Sequence, residues 1–290
     1  MHNFLQCGRY RLAVGQSDRP LVMGILNVTP DSFSDGGRFA TVELALRRAE
    51  AMIAEGVDII DIGGESTRPG AASLSSREEL ARVMPVLGAL RDCGKPLSID
   101  TIKPEVMKAA LDSGADMIND VNGFREEDAL DVVRDSACGL CVMHMQRQPQ
   151  TMQQNPDYAD VVAEVLAFLR ARCEALTGSG VAPDRVCVDP GFGFGKTLEH
   201  NLALLRKIGH LRDALGFPVL AGISRKSMLG AITGRGVEER QAASLAAAVV
   251  AAERGARIIR VHDVAQTVDA LKVWQTARQS TTETGNRETT

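Results

Sequence analysis

Residues 22–37 read VMGILNVTPDSFSDGG. The stretch opens on a short apolar run, stops at Asn27, and passes into a loop of Asp, Ser and Gly. An apolar run bounded by turn residues is the pattern of a strand covered on both faces, as in a parallel sheet, although so short a run does not by itself separate strand from buried helix. The same plan recurs down the chain: apolar run, polar side chain at its end, glycine-containing loop, helix. Runs at 21–27, 57–62, 96–100, 117–120, 139–143, 186–189, 218–221 and 258–261 make eight strand candidates. Helical spacing lies between them. Leu46, Ala49 and Ile53 recur at i, i+3 and i+7, and Ser75 and Glu78 have capping-box spacing ahead of a helix over 77–92. Val162, Val165, Leu166, Leu169, Cys173 and Leu176 mark one face of a helix over 158–176, and Val264, Val268 and Leu271 belong to the last helix. Strands alternating with helices build right-handed parallel βαβ units. Eight units close into a (β/α)₈ TIM barrel, the α/β fold expected here. An open doubly wound sheet is the alternative, disfavoured because no dinucleotide fingerprint follows the first strand. Residues 4–14 are expected to form a short N-terminal β-hairpin plugging one end. The polar, low-complexity tail 279–290 is expected to be disordered. The expectation is one domain over 1–290, with the barrel at about 20–278.

With 290 residues, 44% of them hydrophobic, the chain can bury a large core. A net charge of −4 argues against a nucleic-acid partner. No apolar stretch approaches the roughly 20 residues of a membrane span, so no membrane partner is expected. The first residues, MHNFLQCGRY, lack a charged region followed by an apolar core, and a cytoplasmic location is expected. Six cysteines, at 7, 93, 138, 141, 173 and 187, sit mostly in apolar runs and read as buried thiols, not disulfides. Cys138 and Cys141, with His144 three residues on, resemble half of a metal or redox motif. No second ligand pair accompanies them, and strand residues three apart face opposite sides.

Catalytic groups of a barrel come from the C-terminal ends of its strands. Here those ends read Asn27, Asp61, Asp100, Asn119-Asp120, Met143-His144, Asp189, Gly222 followed by SRKS, and Arg260-Val-His262. A single such residue is more often a helix cap; a ring of seven or eight converging on one mouth describes a site. Arg260 and His262, two apart on a strand, face the same way, and Asn27 arrives from the neighbouring strand of a closed barrel. An isolated His is more often structural, but this trio can form an anion pocket, with Arg suited to phosphate oxygens. Lys226 precedes a helical segment, and the Ser224 and Ser227 hydroxyls suit a carboxylate or phosphate. Thr67 and Arg68, on a Gly/Pro loop, can close over a charged ligand. The run GFGFGK at 191–196 fails as a P-loop, because the residue five before Gly195 is Pro190. It also fails as G-x-G-x-x-G, because Lys196 stands three after Gly193. It reads instead as backbone passing close to a ligand, shielded by Phe194. Asp100, Asn119 and Asp189 need donors if buried. A ligand edge with several N–H groups, such as an aminopyrimidinone, supplies them; salt bridges with Lys226 or Arg260 are the alternative.

Together the stretches GILNVTPDSFSDGG, DIGGESTRPGA, SIDT, INDV, MHMQ, DPGFGFGKT, GISRKS and RVHDV resemble the dihydropteroate synthases of the pterin-binding TIM-barrel family, from Gly24 to Val264. One departure is Arg147, where the family often has Gly. The resemblance implies a transferase of folate biosynthesis, the target of sulfonamides. It condenses (7,8-dihydropterin-6-yl)methyl diphosphate with 4-aminobenzoate to give 7,8-dihydropteroate and diphosphate. It further implies that Asp100, Asn119, Asp189 and Lys226 hold the pterin, with Met143 and Gly222 lining its slot and Arg260 stacking on its face. Asn27, Arg260 and His262 would bind the diphosphate, Asn27 would also meet Mg²⁺, and Thr67 and Arg68 would approach from the second loop. Phe33, Pro69, Phe194 and Ser224 would surround the aminobenzoate. Family members are usually homodimers.

An arylamine is neutral at pH 7 and needs no strong base, so departure of diphosphate is the difficult event. Arg260, His262, Arg68 and the metal would stabilise the leaving group, and Asp100 and Asp189 the pterin cation, in an SN1-like substitution. The loop with Asp31, Phe33 and Asp35 would exclude water. Two other readings stand beside this one. A methyltetrahydrofolate–corrinoid methyltransferase would share the pterin grip but needs no diphosphate pocket. A non-catalytic pterin-binding paralogue would be favoured by loss of Lys226, Arg260 or His262, and all three are present. The stretch 145–157 is open between ligand contact and connection.

Overall fold

Side chains along a strand alternate between its faces, and here the two faces carry different chemistry. On one face Ile60, Ile62, Leu97, Ile99, Ile118, Leu140, Val142, Val186, Val188 and Ile259 pack in one continuous core with helical residues such as Val83, Leu87, Val165 and Leu169. On the other, Met23, Ile59, Met117, Cys141, Cys187 and Ile258 form a second cluster. Two residues further along the same strands that second face turns polar, at Asp61, Asn119, Asp189 and Arg260. A sheet apolar on both faces at one end and polar on one face at the other is a barrel with its closed base at the first end and its site at the second.

The computed structural model describes residues 3–29, 37–66, 73–147 and 151–278, with only the backbone of 37–41. The elements run β1 (Phe4–Cys7), β2 (Tyr10–Ala13), β3 (Leu21–Asn27), α1 (Gly37–Ala54), β4 (Ile59–Gly63), α2 (Ser76–Leu90), β5 (Leu97–Asp100) and α3 (Pro104–Asp112). They continue with β6 (Met117–Asp120), α4 (Ala129–Arg134), β7 (Gly139–Met143), α5 (Val161–Gly178), β8 (Val186–Asp189), α6 (Leu198–Arg206) and α7 (Ile208–Leu215). The last are β9 (Leu220–Ala221), α8 (Ser227–Thr233), α9 (Gln241–Glu253), β10 (Ile258–Val261) and α10 (Val264–Arg278). The eight strands of the main sheet pair in the order β8-β7-β6-β5-β4-β3-β10-β9, all parallel. A parallel bridge between Val188 and Val219 joins the two ends. The barrel expected from the sequence is the one found.

The hairpin β1–β2 lies at the closed base, where Leu5, Cys7 and Val14 complete the cluster of Met23, Ile59 and Met117. Buried Arg257 ties the following turn down by donating to the carbonyls of Val14 and Asp18. Boundaries moved where proline or a cap intervened. Pro96 and Pro218 accept from Ile60 and Val188 but have no N–H to give, so β5 and β9 begin after them. The long helix starts at Val161, not 158, because the Asp160 carboxylate caps it, accepting from the amides of Val162 and Ala163. The capping box at Ser75 and Glu78 is present. All six cysteines are free, and five are buried. The expectation for the tail 279–290 lies outside the described residues.

Candidate active site

Register decides which side chains meet. Asn27 stands opposite Gly63, Gly63 opposite Asp100, and Asp100 opposite Asn119, so four adjacent strands put one row at the same height. A side chain at Gly63 would meet Asn27 Oδ1 at 3.7 Å and Asp100 Oδ2 at 3.9 Å, so glycine there leaves room between them. One layer below, Asp61 is wholly buried and gathers three donors. Ser98 Oγ donates to Oδ1 at 2.6 Å, while Asn119 Nδ2 at 3.2 Å and Arg260 Nε at 2.7 Å donate to Oδ2. A carboxylate can only accept, so this contact fixes which end of the Asn119 amide faces Asp61. Arg260 uses Nη2 to reach Asp100 Oδ2 at 2.7 Å.

Asp189, at the end of β8, accepts from its own loop at Gly191 N, 2.7 Å. A side chain at Gly222 would come within 3.8 Å of both Asp189 Oδ2 and Arg260 Cβ, so Gly222 keeps a slot open between them. Lys226, the first residue before α8, donates to Phe192 O and holds its Nζ 4.5 Å from the centre of the Phe194 ring. Met143 and Phe194 are buried together with Val121, Met145 and Met152, which makes an apolar wall beside the polar floor. Ser224 Oγ lies 3.0 Å from His262 Nδ1, and the His262 amide donates to the same hydroxyl at 3.3 Å.

The electrostatics follow from burying three carboxylates with two cations. Burial pushes Asp100 up to about 7, against the pull of Arg260, and Asp61 adds to the rise. Asp189 is raised by burial too, while Lys226 and the Gly191 amide oppose it. Lys226 is brought down to about 8 by burial, with Asp189 resisting. For Arg260 the burial cost is outweighed by Asp61 and Asp100, which hold it firmly protonated.

Asn27, Asp100, Asn119, Met143, Asp189, Phe194, Gly222, Ser224, Lys226, Arg260 and His262 are thus all set at or just past the C-terminal ends of the strands. Two details differ from expectation. His262 lies one residue beyond β10, and its ring meets Ser224. The salt bridge weighed as an alternative for the acidic trio exists, but only for Asp100 and through Arg260. The expectations for Phe33, Asp35, Thr67, Arg68 and Pro69 fall outside the described residues. Asp61 was visible as a strand end but had no role; the signal for it is its place two residues before inward-facing Gly63, in step with Ser98 before Asp100. The Cys138–Cys141–His144 reading as a metal site has no support: no group of three His, Cys, Asp or Glu side chains is placed to hold a metal among the described residues.

Comparison with known proteins agrees with this geometry. A family model described as pterin binding enzyme matches residues 23–262. The dihydropteroate synthase of Neisseria meningitidis serogroup B is 49% identical over 276 residues, which cover 93% of this chain and 96% of the relative. A Burkholderia cenocepacia dihydropteroate synthase complexed with 7,8-dihydropteroate superposes with a TM-score of 0.86 at 57% identity, over 95% of this chain and 96% of that one. A Xanthomonas albilineans synthase with 4-aminobenzoic acid gives 0.89 at 50% identity, over 96% and 99%. With a buried acidic floor, its paired arginine and the SRKS lysine in place at one end of the barrel, the chain belongs to the pterin-binding enzymes, among the dihydropteroate synthases.

Proposed function

We propose that this chain carries out the synthase reaction, joining (7,8-dihydropterin-6-yl)methyl diphosphate to 4-aminobenzoate, by losing diphosphate before the amine attacks. The observation that carries the reading is the floor of Asp100 and Asn119, held by Asp61 and Arg260, with Asp189 beside them held by the Gly191 amide. It offers acceptors to the N–H groups of an aminopyrimidinone. In the same place it holds negative charge that stabilises a cation spreading from the pterin methylene into the ring. Lys226 contributes a donor beside the floor, Met143 and Gly222 bound the slot, and Arg260 is positioned to lie against the ring. Asn27, Arg260, His262 and, from the second loop, Thr67 and Arg68 take the diphosphate. Phe33, Pro69, Phe194 and Ser224 surround the aminobenzoate, and Asp35 belongs to the loop that excludes water.

Magnesium fits this mouth. Mg²⁺ takes oxygen ligands, keeps several waters, and relies on substrate phosphates and few protein groups. Asn27, with an amide oxygen at the end of β3, is such a group. When bound there it would supply positive charge to the departing diphosphate. The reading takes the protein as a cytoplasmic homodimer. The free thiols suit a reducing compartment, and exposed Ile232 and Val237, in and beyond α8, suit a second copy. No described helix is long and apolar enough to cross a membrane.

The test of the dissociative order is incubation of the chain with Mg²⁺ and the pterin diphosphate alone. Slow release of diphosphate and breakdown of the pterin are expected without aminobenzoate; none over long incubation, from protein that forms dihydropteroate when the amine is added, overturns it in favour of direct displacement. The division of the mouth is tested separately. Asn27→Ala is expected to raise KM for the pterin diphosphate and the Mg²⁺ requirement by about tenfold or more, the worth of one lost charge-assisted contact. Phe33→Leu is expected to weaken aminobenzoate or a sulfonamide and leave the pterin side nearly unchanged. Equal effects of both changes on both substrates would refute the division.

A further inference from the structure

Lys196 ends the GFGFGK run, and the reaction as proposed gives it no task. It is 4% exposed, and its neighbour His144 is 6% exposed. Lysine is rarely buried unless paired, yet the acceptors around this one are neutral: His144 Nδ1 at 3.0 Å, Phe194 O at 2.9 Å and His144 O at 3.5 Å. A phosphate-binding lysine would point outward from its loop; this one turns back into the barrel wall.

The loop it holds is packed against β7. Gly191 has φ of +73°, and a Cβ there would run into the His144 carbonyl, so only glycine passes at that point. The amide of His144 donates to Asp189 O at 3.0 Å. From the other side Asn201, 2% exposed, accepts from Gly193 N at 2.7 Å and donates to Thr197 O at 2.6 Å. Tyr158 donates to Gly195 O at 2.9 Å. Lys226 takes Phe192 O. Within this set Lys196 is the group that grips the carbonyl of Phe194 itself, the residue whose ring lies under Lys226 Nζ.

We infer that Lys196 and His144 form a buried pin that sets where Phe194 stands and thereby how the aromatic-acid substrate fits. The inference rests on the proposed place of Phe194 beside aminobenzoate. Burial brings His144 down to about 3, so its ring is neutral at physiological pH, and with the proton on Nε2 its Nδ1 accepts from Lys196. Burial also brings Lys196 down to about 7, but an uncharged amine keeps two N–H groups, enough for the two short contacts. The pin therefore holds with either charge. Lys196 and His144 are positioning residues; neither touches substrate.

The experiment is steady-state kinetics on the full-length protein with both substrates varied, for wild type, Lys196→Met, His144→Leu and His144→Asn. Lys196→Met is expected to raise KM for aminobenzoate about tenfold, the scale of a lost hydrogen bond to a charged or polarised group. KM for the pterin diphosphate should change less than about twofold, because uniform binding is lost on one side only. His144→Leu should do the same, and His144→Asn, whose amide oxygen can take the place of Nδ1, should restore the aminobenzoate KM. If Lys196→Met does not fold, the two His144 variants make the same comparison. Proportional changes in both KM values, unchanged KM in folded His144→Leu, or His144→Asn behaving as His144→Leu would each overturn the pin. Failure of wild type to make dihydropteroate would strike the proposed function instead.

Discussion

Asp61→Ala is expected to lower kcat/KM for the pterin diphosphate by about two to three orders of magnitude and to leave KM for aminobenzoate within a few-fold. Asp61 is wholly buried and is shared by Ser98, Asn119 and Arg260. Removing one partner from a buried pair costs about 3–5 kcal/mol; Arg260 keeps Asp100 as a second partner, which sets the loss toward the lower part of that range, and about 1.4 kcal/mol is a factor of ten. Without Asp61 the guanidinium keeps Asp100 alone, and nothing fixes the Asn119 amide. The floor would then present a donor or an acceptor at that point by chance. Asp61→Asn keeps the shape and removes the charge; its amide oxygen can still accept from Arg260 and Asn119 while its N–H₂ turns to the Ser98 hydroxyl, so a smaller loss than for Asp61→Ala is expected. Kinetics on the two substrates, with circular dichroism to confirm the fold, checks this. Folded Asp61→Ala with near wild-type kcat/KM, or with its loss confined to aminobenzoate, would refute the role.

The barrel was legible because period-2 alternation and strand ends are local signals. Eight apolar runs, most of them closing on or beside a polar residue, gave both the count and the mouth; Asn27, Asp100, Met143 and Asp189 are the last residues of their strands, and the other described candidates lie one residue before or a few residues past such an end. What alternation cannot show is who pairs with whom across the barrel. Arg260 on β10 reaches Asp61 on β4 and Asp100 on β5, contacts that span 199 and 160 residues of sequence. Reading Arg260 first as an anion ligand, with a salt bridge only as the alternative, understated the second contact and missed the first. Ser224 and His262 likewise meet across 38 residues from different loops. Lys196 escaped notice for another reason: its run was tested for phosphate motifs, and a lysine that folds back onto its own loop leaves no spacing to detect.

A pH profile is the second test of the floor. With kcat/KM for the pterin diphosphate as readout, a bell is expected, with its acid limb near 7 and its alkaline limb near 8. Asp100 must be ionised to accept from the ligand, and burial has pushed it up to about 7. Below that pH the carboxyl is protonated, presents a donor to a donor, and the rate falls about tenfold per unit. Protonated Lys226 offers the ligand a charge-assisted donor beside its Phe192 contact, stronger than that of the neutral amine, and burial has brought it down to about 8, so the rate falls again as pH rises past that value. Arg260 stays charged across this range, held by Asp61 and Asp100, and contributes to neither limb. Because Asp100 and Lys226 share neighbours, the limbs belong to the coupled site, and substitutions assign them. Asp100→Asn should lower the maximum and flatten the acid limb. Lys226→Arg, which cannot lose its proton in this range, should remove the alkaline limb even at reduced rate. Calorimetry gives a check free of catalysis. Below pH 7 a pterin ligand must displace the proton on Asp100, so binding should release a proton in wild type and not in Asp100→Asn. An acid limb that survives Asp100→Asn unchanged would move the titration to Asp189, the other raised carboxylate of the floor.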